Sequence, residues 1–424
     1  MRRSVLTVAS DLQTEDLRVS GQAGRAAADQ LAVALLTGGT DRHYTYGLVM
    51  SLVPKGVTLD VVGGPEVDGP EMHVTPGLNF LNFMVIRPPD ASPMKKATGL
   101  LTYYARLMAY AWNARPKIFH ILWNNRFLWF DRTVLTLYYK ALGKKVVVTA
   151  HNVNGAKRDG RDSLLNRLTL KTQYHLADNI FVHTEKMKEE LIQDFGVRGK
   201  AVTVIPYGIN NAVPTTELTA AEAKRQLGIS SLERTILFFG NVRPSKGLDY
   251  LLEAFDRILA RNSNYRLIVA GLPHRGYNNY WMRLRQILAR FEDRGSVIVR
   301  TEYVPDEEVG LYFKAADVLA LPYTDIFQSG VLFLGYSFGL PVVATDVGSF
   351  REDVVEGQTG FLCRPRDSES LAAAIEKYFE SDLFKELESR RQGICDYANA
   401  RHSWSEVSVI TDAVYRELAG ANPA

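Results

Sequence analysis

Four short stretches of this chain combine residue types that bind anions or hydroxyls. In the segment from Asp325 to Gly348, small polar residues precede an apolar helix and then a buried strand. The first N–H groups of a helix lack partners within it and sit at the positive end of its dipole. Ser329, Gly330 and Val331 are therefore the expected cradle for a phosphate. An ordinary βαβ unit would use the same residues. Gly240-Asn-Val-Arg-Pro-Ser-Lys-Gly247 follows a strand and puts Arg243 and Lys246 in the loop before an apolar-striped helix. Fixed cations aimed at a diphosphate stabilise the charge it gains as a bond to it breaks, with no proton transfer required. Lys145-Val-Val-Val-Thr-Ala-His151 ends a strand on a histidine, which can donate a hydrogen bond to a substrate hydroxyl or respond to developing charge. Gly38-Gly39 closes the first strand, where a missing Cβ lets backbone approach a phosphate or sugar; a plain turn would use the same pair.

Such residues need a scaffold that brings strand ends together. Leu31–Leu36 reads as a buried strand, followed by a helix over Tyr44–Val53 and a strand over Val57–Val62. Further strands are expected at Phe83–Ile86, Ile118–Trp123, Lys145–Thr149, Asn179–His183 and Val202–Ile205. Ile205-Pro-Tyr-Gly-Ile-Asn-Asn-Ala-Val-Pro214 interrupts the pattern, and a second alternation starts at Thr235–Phe239. There Leu248, Leu251, Leu252, Phe255, Ile258 and Leu259 share one face of a helix, with strands at Leu267–Ala270, Val297–Val299, Val318–Leu321 and Pro341–Thr345. Ser403-Trp-Ser-Glu406 has the pattern of a capping box. The expectation is an α/β protein of two doubly wound, Rossmann-like domains facing each other across a cleft, with ligands at the strand carboxyl ends. Residues 1–30 are read as a poorly ordered tail, 31–208 as the first domain and 209–400 as the second. Residues 401–424 are read as a helix returning to the first domain.

Composition restricts the setting. The 424 residues are 46% hydrophobic and 23% charged, too long for a single core. Two cysteines outside any Cys-x-x-Cys pair argue against a disulfide framework or structural zinc and fit a reducing cytoplasm. No signal peptide or bilayer-spanning stretch is read. The net charge of +3 hides an asymmetry: residues 81–180 carry 16 Lys/Arg against 5 Asp/Glu, interleaved with aromatics. Lys95, Lys96, Arg106, Arg115 and Lys117 with Tyr103, Tyr104 and Trp112 are a candidate contact with an anionic membrane. The alternative is that the cations solvate the outer faces of buried helices. No nucleic-acid-binding module is recognisable.

Taken in order, Gly38-Gly39, Thr149-Ala-His151, Val204-Ile-Pro-Tyr-Gly-Ile209, Arg243-Pro-Ser-Lys-Gly247, Ala316-Asp-Val-Leu-Ala-Leu-Pro322, Gly339-Leu-Pro-Val-Val-Ala-Thr345 and the spacing of Glu352 to Gly360 make the chain resemble glycosyltransferase family 4. The members are retaining enzymes of the GT-B fold that use nucleotide sugars. The resemblance covers nearly everything after residue 30. It implies that His151 contacts the transferred sugar, that Arg243 and Lys246 hold the diphosphate, and that Glu302-Tyr303-Val304 flanks the nucleobase. The family's two glutamates, with seven residues between them, fall here on Ile326 and Leu334. Asp325 is the candidate replacement for the first, with Gln328 or Ser329 as candidates for sugar or phosphate contacts; the second, on the ribose, has none.

The function implied is retaining transfer of a hexose from a UDP- or GDP-sugar to a lipid-linked or glycan acceptor, in bacterial surface polysaccharide synthesis. No metal or other cofactor is expected, since the cations neutralise the leaving group and no Asp-x-Asp triad lies beside the phosphate loop. A sugar-nucleotide epimerase or other enzyme of the same architecture, and a donor-binding scaffold without turnover, are the alternatives.

Overall fold

The computed structural model describes residues 31–39, 41–84, 92–125, 127–158, 160–209 and 216–420. The expected tail, residues 1–30, lies outside them, as does most of the linker 209–214. Two fully parallel sheets organise the described chain. The first contains β1 (Ala32–Leu36), β2 (Thr58–Gly63), β3 (Leu78–Asn82), β4 (Ile118–Ile121), β5 (Lys145–Thr149), β6 (Asn179–Val182) and β7 (Val202–Val204), in the order β3-β2-β1-β4-β5-β6-β7. The second contains β8 (Arg234–Phe239), β9 (Tyr265–Ala270), β10 (Val297–Arg300), β11 (Val318–Leu321), β12 (Val342–Thr345) and β13 (Gly360–Cys363), in the order β10-β9-β8-β11-β12-β13. Each order reverses beside its first strand, β1 and β8. Connections that leave in opposite directions open a crevice there, and both crevices face the same cleft.

Parallel strands are covered on both faces, so they read as continuous apolar runs. Val33, Ala34 and Leu35 of β1 are fully buried, as are Leu267 to Ala270 of β9 and Val318 to Leu321 of β11. Edge strand β3 departs from this rule. Leu78 and Phe80 are half-buried while Asn79 and Asn82 are exposed, so no apolar run marks it. The strand expected at Phe83–Ile86 is accordingly displaced: pairing with β2 runs over Leu78–Asn82, and Ile86 lies outside the described residues. Strand β13 was not expected at all.

The helices that position the site are α1 (Arg42–Leu52), α2 (Pro93–Asn113), α3 (Leu164–Leu176), α4 (Leu248–Arg261), α5 (Asp306–Ala315), α6 (Gly330–Ser337) and α7 (Trp404–Ala419). Leu248, Leu251, Leu252, Phe255 and Ile258 of α4 lie against the second sheet, as their spacing predicts. Ser403 caps α7 by accepting from the Glu406 N–H. Helix α7 packs on α1 of the first domain. Tyr415 of α7 hydrogen-bonds His120 Nδ1 at 2.5 Å, and Arg416 Nη2 donates to the Lys55 carbonyl. The aromatic part of the expected membrane contact is corrected. Tyr103 and Tyr104 turn inward, donating to Asn125 Oδ1 at 2.6 Å and Asp131 Oδ1 at 2.8 Å, whereas Trp112 is 70% exposed.

Candidate active site

Between the domains lies a cavity of about 740 Å³. Its second-domain wall begins at Phe239, the end of β8. Gly247 closes the following turn at φ 65°, and a Cβ there would lie 1.8 Å from the Pro322 carbonyl oxygen. Only glycine fits, and the tight turn holds Lys246 against the Tyr323 ring, its Nζ 3.7 Å from the ring centroid. Helix α6 starts at Gly330 with Ser329 as its N-cap. The Ser329 hydroxyl donates to Tyr323 Oη at 3.3 Å and the Leu332 N–H to the Ser329 carbonyl at 3.1 Å, while Ser329, Gly330 and Val331 line the cavity at the helix mouth. Arg243, Lys246, Gln328 and Tyr303 line the same space. Gln328 Oε1 is buried without a hydrogen-bond partner among the described residues, and Tyr303 is 70% exposed at the rim.

A third cation joins from the first domain. Arg158, on the turn Gly155–Arg158, donates to Asn152 Oδ1 at 2.9 Å, and both residues line the cavity. Burial, and then the positive charges of Arg243 and Arg158, hold the Lys246 ammonium well below its ordinary pKa. A bound diphosphate would oppose both causes and restore the ammonium. Sequence reasoning passed over Arg158; its charge beside a histidine-terminated strand was the available signal.

The first-domain wall is different. Asp41 caps α1 in the left-handed region at φ 49°, accepting from the Tyr44 N–H at 3.0 Å, and burial raises its carboxyl pKa. His151 stacks on Trp123 at 4.2 Å, with Tyr44 edge-on at 4.6 Å. His151 Nδ1 lies 3.0 Å from His183 Nε2, and His183 Nδ1 lies 3.4 Å from the Ile205 carbonyl. A carbonyl only accepts, so a neutral His183 carries its proton on Nδ1 and receives one from His151 Nδ1–H. In that tautomer His151 Nε2 is an acceptor, which suits the second role expected from sequence, a response to developing charge, and not donation to a hydroxyl. It is buried with no partner among the described residues. Burial, with neighbouring His183 and His120, holds His151 well below the ordinary histidine pKa; burial brings His183 to about 4.

Other expected residues fall elsewhere. Asp325 is exposed and is not among the described residues lining the cavity. Its charge instead adds to burial in raising the Glu190 pKa. Ile326 and Leu334, at the family's glutamate positions, do line the cavity, at 8% and 7% exposure. Gly38 and Gly39 have φ 60° and 67°. Cβ atoms there would lie 2.9 Å from the Trp123 and Asn124 carbonyl oxygens and 2.5 Å from Met84 Sδ, so packing within the first domain already requires both glycines. The carboxylates that line the cavity are Asp41, Glu66 and Asp306. Asp306 pairs with His43 across the cleft at 3.3 Å. Arg161 also crosses, with its guanidinium 4.9 Å from the Tyr277 ring centroid and Nη2 donating to the Gly276 carbonyl. Trp404 of α7 closes the floor, its indole N–H donating to the Ile209 carbonyl at 2.9 Å.

Residues 37–213 match the model of Glycosyltransferase Family 4, and residues 233–381 match that of Glycosyl transferases group 1. Among curated relatives, the D-inositol 3-phosphate glycosyltransferase of Corynebacterium jeikeium is 25% identical over 89% of this chain and 91% of its own. That of Acidothermus cellulolyticus is 28% identical over 50% of this chain and 48% of its own. Among solved structures, sucrose-phosphate synthase from Thermosynechococcus elongatus superposes with a TM-score of 0.72 at 18% identity, covering 92% of this chain and 99% of that one. Anabaena HepE in complex with UDP and glucose gives 0.71 at 18% identity, covering 92% and 100%. With both domain models matched in sequence and both sheets arranged as in these neighbours, the chain belongs to glycosyltransferase family 4 and has the GT-B fold.

Proposed function

We propose that this protein is a retaining hexosyltransferase that takes its sugar from a nucleoside diphosphate sugar and passes it to a lipid-linked or glycan acceptor, in bacterial surface polysaccharide synthesis. The observation that carries this reading is the meeting of Arg158, Arg243 and Lys246 beside the N–H groups of α6, with the Lys246 ammonium destabilised until an anion arrives. UDP is the first donor to try, because the neighbour HepE holds UDP and UDP-glucose; GDP is the second.

In the reaction proposed, the bond from sugar C1 to the phosphate oxygen breaks as the acceptor oxygen bonds to C1 on the same face. The acceptor proton passes to the departing phosphate. The cations and N–H groups stabilise the charge growing on the phosphate and do so without rearranging, which lowers the barrier. This route needs no carboxylate nucleophile, in keeping with Ile326 at the position nearest the sugar and Asp325 outside the cavity. In this reading the three cations act where a metal would.

Thermal denaturation with UDP, GDP and their sugars, without added metal, tests the donor site, since ligands that bind only the folded chain raise its melting temperature. A selective rise with one base is expected, and no rise with any of them would end the reading. Release of nucleoside diphosphate, assayed with glycans, lipid-linked sugars and inositol 3-phosphate, then tests transfer. The apolar pair Ile326 and Leu334 favours one rival, a donor-binding protein without turnover. Donor binding with no release from any acceptor, or from water, would select that rival.

A further inference from the structure

An exposed apolar face lies on the first domain, beside the cleft. Helix α3 presents Leu164, Leu165 and Leu168 at 79%, 62% and 62% exposure. The helical stretch 128–141 packs along α3, tied to it by Arg132 Nη1 donating to Asn166 Oδ1 at 2.8 Å. At the start of that stretch Phe127, Leu128 and Trp129 are 41%, 44% and 45% exposed. Helix α2 joins the group through Tyr104, whose ring meets Phe130 at 5.0 Å, and it leaves Leu101 70% exposed. Scattered apolar side chains on a surface need no explanation, but a group of this size on packed helices does.

Charge decides what covers the group. Over α2, residues 128–141 and α3 the one carboxylate is Asp131, and it is 3% exposed beneath Tyr104. Lys95, Arg106 and Lys171 are exposed on the same helices. Apolar side chains interleaved with cations, and no surface carboxylate, match the boundary between anionic headgroups and acyl chains. A second copy in a two-fold contact would set the cations against themselves. Position adds a purpose: Arg158 lines the cleft and Arg161 reaches the second domain, both just ahead of Leu164 in the chain.

We infer that this face docks the protein on an anionic lipid bilayer and sets the cleft mouth at the membrane surface. The leucines and Trp129 enter the headgroup boundary while the lysines and Arg106 stay among the phosphates. The inference goes beyond the transferase reading, though a lipid-linked acceptor would give the docking its use. It also replaces the inward-turned Tyr103 and Tyr104 with side chains that reach solvent.

Co-sedimentation with phosphatidylcholine vesicles, with and without phosphatidylglycerol, tests the proposal on the full chain. The wild type is expected to sediment with the mixed vesicles and only weakly with phosphatidylcholine alone. Replacing Leu164, Leu165 and Leu168 together by Gln should weaken that binding about tenfold or more. Lys171→Glu should weaken it by a smaller factor, and salt should mimic that change. These residues are exposed, so the melting temperature and its rise with UDP should stay as in the wild type. A UDP response lost from the wild type itself would count against the donor site and not against this surface. No sedimentation with mixed vesicles, or full binding by the triple variant, would overturn the inference. So would a wild-type dimer that the triple variant dissolves, since a second copy would then own the face.

Discussion

On the second-domain wall of the cleft Arg243 and Lys246 stand beside the N–H groups of α6, whereas the facing wall of the first domain is a packed cluster of Tyr44, Trp123, His151, His183 and Tyr207. One wall gathers positive charge. The other stores dry, neutral polar groups whose hydrogen bonds run inward to Ile205. A charge-poised wall suits the part of a substrate that carries charge. A neutral wall suits hydroxyls, which are selected by shape and by single acceptors such as His151 Nε2.

The sharpest way to break this contrast is Lys246→Ala. Nucleoside diphosphate affinity should fall about 100-fold or more, as when a fixed cation is taken from a buried anion site. The melting temperature of the unliganded chain should hold or rise, because burial and the neighbouring Arg243 and Arg158 already disfavour the cation removed. The sign of the pH effect follows. The folded Lys246 pKa is depressed, so an anion that restores the ammonium takes up a proton, and affinity should weaken as pH rises through the depressed value. Titration calorimetry of UDP in two buffers of different ionisation heat would reveal the uptake. Equal proton uptake by wild type and Lys246→Ala would remove Lys246 from the diphosphate site.

Next in size is the acid response of the neutral wall. His183 falls to about 4 in the folded chain, against 6.5 in the unfolded chain. Between those values the unfolded state binds the extra proton, so the stability this residue contributes is present above pH 6.5 and lost as pH falls towards 4. The loss is as much as about 3 kcal/mol. Asp353 and Asp131, raised to about 6 by burial, work in the opposite direction, which makes the variant difference the quantity to measure. His183→Gln should flatten the fall in unfolding free energy from pH 6.5 to 4.5 relative to wild type. An unchanged slope would mean that the pair is not held neutral.

A third change tests the floor between the walls. Gly to Ala inside a helix ordinarily stabilises by about 1 kcal/mol. At Gly47 of α1 a Cβ would lie 2.0 Å from Trp404 Cε2, so Gly47→Ala should instead destabilise, by about 1–3 kcal/mol in denaturant unfolding. A stabilised variant would show that α7 is not seated on α1. Smallest of all, Asp325→Asn should leave UDP affinity and turnover within about twofold, since an exposed charge outside the cavity contributes little. A large loss would bring Asp325 back to the sugar.

Much of this was legible from local pattern. The apolar runs of β1, β5, β8 and β11 are buried on both faces, and burial of that kind leaves its mark on consecutive residues. The stripe on α4 and the Ser403 cap are equally local. Edge strand β3 was misplaced because its residues are at most half-buried and Asn79 and Asn82 are exposed, so no apolar run marks it. Arg243, Lys246, Gln328, Ser329, Gly330, Val331 and Tyr303 line the cavity, a placement legible in sequence because each follows a strand and strand ends face the cleft. Asp325 was misjudged because one residue of shift in a loop redirects a side chain. The direction of the His151 hydrogen bond was invisible because its partner, His183, lies on another strand.

The sequence alone thus determined two parallel α/β domains and a loop that carries Arg243 and Lys246 before α4, since periodicity, turns and helix mouths are properties of neighbouring residues. Only the tertiary structure decided that Arg158 completes the cation group, that His151 accepts, and that Trp404 of the last helix floors the cleft. These depend on how two sheets and a returning helix face one another, and no local pattern encodes the distance between residues that far apart in the chain.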